Sequence, residues 1–155
     1  MTTTDEPTRS PAASLRGRNI LSGVLTGVGI AAFVDETVFH QILHWHHFYD
    51  GSTLDAGLVS DGIFHAGGWF AVVAGLFLVA DLRRRGAFAG VRWTGAVLLG
   101  AGVFQVYDGT IQHKLLRLHQ IRYVPDVAPY DTVWIATGAV LVALGALMLV
   151  RARRG

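Results

Sequence analysis

The chain has 155 residues, of which 52% are hydrophobic and 15% charged, and its mean hydropathy is +0.42. This composition is too apolar for an ordinary soluble domain and indicates a membrane protein. The chain contains no cysteine, which excludes disulfides, thiolate catalysis and sulfur-rich metal sites.

Residues 1–18 are rich in Thr, Pro, Ser and Ala and predict a disordered N-terminal tail. A four-span membrane domain is predicted over residues 19–151, because four apolar segments each approach the roughly 20 residues that cross about 30 Å of hydrocarbon. The predicted fold is all-α, a polytopic membrane four-helix bundle. A soluble bundle would carry a charged outer stripe on its helices, and residues 133–150 contain no charged residue. The predicted spans are about 20–43, 62–80, 92–112 and 132–150.

Basic residues gather on one side of the predicted membrane. Ten of the 13 lie in the N-terminal tail, in the loop between the second and third spans, and at the C-terminus. Such clusters mark the cytoplasmic side, so both termini are predicted to be cytoplasmic. They are topology signals, and nucleic acid is not an expected partner. The ten are Arg9, Arg16, Arg18, Arg83, Arg84, Arg85, Arg92, Arg151, Arg153 and Arg154.

The sequence also repeats itself. The pattern D-x-T-[VI]-x-H-x-[IL]-L-x-x-H begins at Asp35 and again at Asp108, an offset of 73, and a weaker match relates residues 61–68 to residues 131–138 at an offset of 70. Two helix pairs of the same orientation, in halves of about 20–85 and 92–154, predict a pseudo-two-fold axis along the membrane normal. The halves differ, since Gly109 replaces Glu36 and Ile135 replaces His65.

All seven histidines lie at the outer ends of the predicted spans or in the outer loops. Ionisable groups at membrane depth are costly and persist where they pair, bind ligands or move protons. Acid–His pairs one helical turn apart are the spacing by which helix bundles hold metal ions. The candidate metal ligands are Glu36, His40, Asp61, His65, Asp108 and His113, followed by His44 and His119.

Two ionisable residues in and just after the first span are predicted to lie outside this site. On an α-helix, Asp35 and His46 fall on an arc about 120° away from Glu36 and His40. Asp35 is therefore expected to cap the helix or to pair with Arg122 or Lys114, and His46 to be solvated among the interfacial aromatic residues. For any one acid–His pair, a purely structural hydrogen bond is an equally good interpretation; the gathering of three such pairs at one depth favours a site.

Four long segments resemble the bacterial membrane-protein family called domain of unknown function 2243. They are D-E-T-V-F-H-Q-I-L-H-W-H-H-F-Y-D, S-D-G-I-F-H-A, F-Q-V-Y-D-G-T-I-Q-H-K-L-L-R-L-H-Q-I-R-Y and Y-D-T-V-W, and the resemblance covers residues 20–150. It implies a four-span protein of a bacterial cytoplasmic membrane and supplies no activity. Some relatives are joined to a domain similar to the copper-handling assembly factor of caa-type cytochrome oxidase, which inclines the choice of metal toward copper.

These observations predict a His/carboxylate metal site near the extracytoplasmic side, used for redox or metal-handling chemistry linked to respiration. Imidazole and carboxylate ligands without sulfur favour copper or iron and are compatible with zinc, whereas haem fits the many acids less well. The expected partners are the lipid bilayer and respiratory-complex or metal-delivery proteins. The alternatives are a proton or ion transporter, and an assembly scaffold for a respiratory complex without its own metal. The sequence leaves open whether the protein is an enzyme and whether it oligomerises.

Overall fold

The computed structural model describes residues 11–154, which form four helices and, within that range, no strand. Helix α1 spans Pro11–Asp35 and continues without a break as a π-helix over Glu36–Ile42, the first π segment. Helix α2 spans Leu54–Arg84. Helix α3 spans Gly90–Tyr107 and continues as the second π segment, Asp108–Leu116, and α4 spans Ala128–Arg154. The prediction of an all-α fold is confirmed.

The N-terminal boundary differs from the sequence expectation. Residues 11–18, which the composition assigned to the tail, form the first turns of α1. Ala12 and Ala13 in this segment favour the helix. Residues 1–10 of the predicted tail lie outside the described residues.

The extensive helix contacts join α2 to α1, α1 to α3 and α3 to α4, so that α1 and α3 form the centre. Glycines allow the close approach. A Cβ on Gly29 of α1 would lie 2.6 Å from the Gly68 carbonyl oxygen of α2, and a Cβ on Gly102 of α3 would lie 2.6 Å from the Gly138 carbonyl oxygen of α4. These two contacts are related by the sequence offsets of 73 and 70. Small residues at helix interfaces are typical of proteins in lipid.

The distribution of polarity is inverted relative to a soluble protein. Large apolar side chains face outward, including Ile63, Phe77 and Val133 with 70%, 72% and 67% of their surface exposed, whereas Asn19 and Ser22 are fully buried. Within residues 11–154, three helices are long and apolar enough to cross a membrane by length and composition, and their spans are Ala12–Ile42, Leu54–Arg84 and Ala128–Arg153. The predicted span at 92–112 is not among them; it corresponds to the 18-residue α3 and the start of the second π segment.

The two π segments end in the same way. His44 and Arg117, which are 73 residues apart, are the two non-glycine residues with positive φ in the described chain, at 50° and 52°. Directly after each, a backbone N–H reaches back six residues, from Trp45 to the Phe39 carbonyl and from Leu118 to the Gln112 carbonyl. π-Helical turns are rare and concentrate at functional sites. Here they start at Glu36 and Asp108 and lead to the buried histidines.

Candidate metal centre

Asp35, His40 and His46 form a buried cluster at the end of α1, the first triad. Asp35 is the last α-helical residue, His40 lies in the first π segment, and His46 lies in the loop that follows. The Nε2 atom of His40 is 3.8 Å from Oδ2 of Asp35, and the His40 and His46 ring centroids are 4.4 Å apart. One potential ligand atom from each residue lies within 4.8 Å of the other two.

Asp108, His113 and His119 form a second buried cluster, the second triad, at the corresponding positions of the repeat. The Nε2 atom of His113 is 3.1 Å from Oδ2 of Asp108 and 3.0 Å from Nε2 of His119. Two ligands at about 2.1 Å from one ion and at right angles lie about 3 Å apart. The spacing in the second triad therefore suits two ligands of one metal ion.

The two triads meet between the halves of the chain. The rings of His46 and His119 stack with centroids 4.6 Å apart and planes inclined by 3°. Each ring is held by a carbonyl of the opposite half: Nδ1 of His46 is 2.9 Å from the Ile121 oxygen, and Nδ1 of His119 is 2.9 Å from the Phe48 oxygen. Ile121 and Phe48 are also 73 residues apart. The same contact thus occurs twice, exchanged between the halves.

These hydrogen bonds fix which nitrogen can act as a ligand. A carbonyl oxygen only accepts, so Nδ1 of His46 and of His119 carries a proton, and Nε2 is the nitrogen left to act as a ligand. Burial, together with the neighbouring imidazoles of His119, His40 and His113, lowers the pKa of His46 to about 2, so its ring is neutral. Among the described residues, Nε2 of His40 and Nε2 of His46 are buried without a hydrogen-bond partner. Buried lone pairs of this kind require an explanation, and an ion is one.

Carboxylates surround His40 on the side opposite its free nitrogen. Its Nδ1 atom lies 2.9 Å from Oε2 of Glu36 and 3.0 Å from Oδ1 of Asp61. Asp61 also accepts from the backbone N–H of Phe48 at 2.7 Å and lies 2.6 Å from Nδ1 of His47. A carboxylate on the distal nitrogen of a ligating histidine orients the ring and raises its basicity.

The second triad has a different environment. Nδ1 of His113 lies 3.6 Å from Oδ1 of Asp131, the counterpart of Asp61, and Asp131 is paired with Lys114. Gly109 stands at the position of Glu36, and a Cβ there would lie 2.7 Å from the Ile135 side chain. No second carboxylate of the described chain therefore takes the place of Glu36 beside His113.

The structure separates the eight sequence-predicted ligands into three groups. His40, Asp108, His113 and His119 belong to the triads. Glu36 and Asp61 contact Nδ1 of His40 and form with it a third buried group of potential ligands. His65 is half-buried and packs against the Phe33 ring at 5.2 Å, and His44 is exposed with its backbone in the left-handed region. Neither His65 nor His44 joins a cluster of potential ligands in the described chain.

Sequence reasoning missed Asp35 and His46 as candidates. The prediction assumed an α-helix, with 100° per residue, up to position 47. The chain is instead π-helical over Glu36–Ile42, and the backbone of His44 has a positive φ. The expected partners of Asp35 are also engaged elsewhere, since Lys114 pairs with Asp131 and Arg122 lies over the Trp45 ring at 4.7 Å. The repeat carried the missing signal, because Asp35 and His46 are members of the duplicated pattern.

This geometry defines a helical membrane protein with two buried His₂Asp clusters whose chemistry suits a metal ion. The chain belongs to the family described as "Predicted membrane protein (DUF2243)", whose profile matches residues 22–152. The family expectation from the sequence is thereby confirmed. No curated protein and no solved structure matched the chain.

Proposed function

We propose that this membrane protein holds two metal ions, one in each triad, and uses them for redox or metal-handling chemistry linked to respiration. The observation that carries the proposal is the duplicated set of buried ligands. Each triad offers one carboxylate and two imidazoles, and an oxygen atom outside the triads lies within 3.0 Å of Nδ1 in His40, His46 and His119. Such outer contacts are a regular part of metal sites.

The ligand types favour copper or iron. Two histidines and one carboxylate, with coordination positions left open, are the set that non-haem Fe(II) sites use, and imidazole-rich sites also suit Cu(II) and zinc. Haem is disfavoured because His40 with His46, and His113 with His119, contact each other directly at ring-centroid distances of 4.4 and 4.7 Å. A macrocycle would have to lie between its axial ligands.

The proposed location of the centre is the extracytoplasmic side of a bacterial cytoplasmic membrane. Both triads lie at the ends of α1 and α3 that point away from the chain termini, while most of the described arginines cluster at the opposite ends, around Arg18, Arg83 and Arg151; Arg117 and Arg122 lie on the side of the triads. The positive-inside rule assigns that arginine-rich side to the cytoplasm. Packed between α1 and α4, α3 with the second π segment forms the remaining span of the four-span fold.

Transport is the weaker alternative. The buried ionisable groups gather at the triads, and the next ion pair is Arg18 with Asp81 at the far end of the helices. Between these two levels the described segments 19–34, 66–80, 93–106 and 132–150 contain no ionisable residue. A proton or ion path would need polar relays in that interval. Respiratory-complex or metal-delivery proteins remain the expected partners, since copper or iron has to be supplied and used.

Metal analysis of the purified full-length chain tests the proposal. We expect two ions per chain by inductively coupled plasma mass spectrometry, fewer in His40→Ala and His113→Ala, and an unchanged content in His65→Ala, which serves as the matched control. Electron paramagnetic resonance then identifies copper or iron. Folded protein that neither retains nor takes up stoichiometric metal would overturn the proposal.

A further inference from the structure

The two triads share their ligand types but differ in the charges around them. Besides Asp35, the first triad has Glu36 and Asp61 at 2.9 and 3.0 Å from Nδ1 of His40. Both carboxylates are 1% exposed, and no lysine or arginine of the described chain forms an ion pair with either. An ion in the first triad is thus surrounded by three buried carboxylates.

The second triad has one fewer carboxylate and one additional cation. Asp131 is the carboxylate that faces Nδ1 of His113, and its Oδ2 atom forms an ion pair with Lys114. Lys114 stands at the repeat position of Gln41, whose amide in the first half donates to Glu36 at 2.7 Å. Among the positions that contact these carboxylates, Glu36 stands against Gly109 and Gln41 against Lys114, and both differences make the second triad less negative; His47, 2.6 Å from Asp61, stands against Gln120.

The hydrogen bonds within the two triads also favour tighter ion binding in the first triad. Nε2 of His40 and of His46 are unpartnered in the described structure, so an ion can enter the first triad without breaking a bond at these atoms. In the second triad Nε2 of His113 and Nε2 of His119 already share a hydrogen bond of 3.0 Å. An entering ion has to displace that bond and its proton, which weakens apparent binding.

From these contacts we infer that the first triad retains its ion tightly and that the second triad holds an exchangeable ion, with Glu36 and Lys114 setting the difference. The nearby charges determine which triad has the higher metal affinity, because Coulomb interactions in a site shielded from water are stronger than in solvent. The inference rests on the proposed function, since it requires that both triads bind metal. It assigns different roles to the halves of a duplicated site: a resident ion in one half and a delivered or released ion in the other.

A stepwise titration of the metal-stripped full chain with Zn²⁺ in detergent, followed by isothermal calorimetry, tests the inference. We expect two binding steps whose dissociation constants differ by at least about tenfold. That is the smallest loss of metal affinity typical when a residue that hydrogen-bonds to a metal ligand is removed. Glu36→Gln should raise the Kd of the tight step about 10–100-fold, and Lys114→Gln should lower the Kd of the weak step. Arg117→Gln removes an exposed cation directly after the second π segment; it is the charge control and should change neither step.

The possible outcomes separate this inference from the proposed function. Two steps of equal affinity, or a weak step that Glu36→Gln alters while Lys114→Gln does not, would overturn the ranking and leave the metal centre in place. A single ion per chain that is lost in both His40→Ala and His113→Ala would overturn it in favour of one ion shared by the triads. Absence of any binding by folded protein would overturn both. Circular dichroism spectra and melting curves of each variant establish that it is folded.

Discussion

At the scale of single residues, the site depends on oxygen atoms that contact Nδ1 of the imidazoles and so fix the direction of Nε2. His46 and His119 are each oriented by a backbone carbonyl of the opposite half, and His40 is oriented by two carboxylates. A side chain held in this way presents Nε2 in one direction before any ion arrives. Preorganised ligands lose less conformational entropy on binding, so the residues behind the histidines matter for affinity as well as the histidines themselves.

Replacement of His46 tests its assignment as a ligand. His46→Ala should reduce the metal content by about one ion per chain, because the first triad would retain only two ligands. His44→Ala is a suitable control, since His44 lies two residues away, is exposed and joins no group of potential ligands in the described chain. Mass spectrometry of both purified variants gives the readout. Equal metal content in His46→Ala and the unsubstituted chain would remove His46 from the site.

Asp61 is predicted to strengthen metal binding through its contact with Nδ1 of His40. Asp61→Asn should weaken metal binding about 10–100-fold, because the amide lacks the charge that raises the basicity of the His40 ring. Asp55→Asn removes an exposed carboxylate from the same helix and should leave the affinity unchanged. Competition with a chromophoric chelator measures the affinity of both variants. If the two variants bind metal equally well, Asp61 has only a structural role in holding the Phe48 N–H.

At the scale of elements, long apolar runs predicted the helices well and the end of α1 poorly. A long apolar segment in lipid forms a helix because its backbone N–H and C=O groups must bond to each other. The predicted spans at 62–80 and 132–150 accordingly lie inside α2 and α4. The position of Asp35 relative to His40 depends instead on a switch from α- to π-helical turns. Propensity and periodicity carry no signal for that switch, since they assume the α-helical rotation. Four of the triad residues were nevertheless among the predicted ligands, because acid–His pairs stand out in an apolar sequence.

The helix interfaces permit a matched test of close packing. Gly29→Ala and Gly102→Ala should destabilise the protein by about 1–3 kcal/mol, because each new Cβ would meet a carbonyl oxygen of the neighbouring helix at 2.6 Å. Gly67→Ala adds the same atom to α2 at a position with nothing within 4 Å, and it should be neutral or slightly stabilising. Thermal melts in detergent compare the three variants. If Gly67→Ala destabilises the protein as much as the other two substitutions, close packing is not the cause.

At the scale of the whole molecule, the centre belongs to neither half alone. Each half supplies three potential ligands and one carbonyl that orients a histidine of the other half. Asp50 N–H also donates to the Leu118 carbonyl at 2.9 Å, which ties the two outer loops together. Since metal binding to a formed site adds its free energy to folding, ions in both triads would hold the halves against each other.

The proposed orientation across the membrane can be tested without removing any native cysteine, because the chain contains none. Ser52→Cys lies in the loop next to the triads, and Arg153→Cys lies near the end of α4 on the opposite side; both positions are exposed. With an extracytoplasmic centre, a membrane-impermeant maleimide should label Ser52→Cys in intact cells and should label Arg153→Cys only after the membrane is permeabilised. The reverse pattern would place the arginine clusters outside, against the positive-inside rule, and would move the metal centre to the cytoplasmic face.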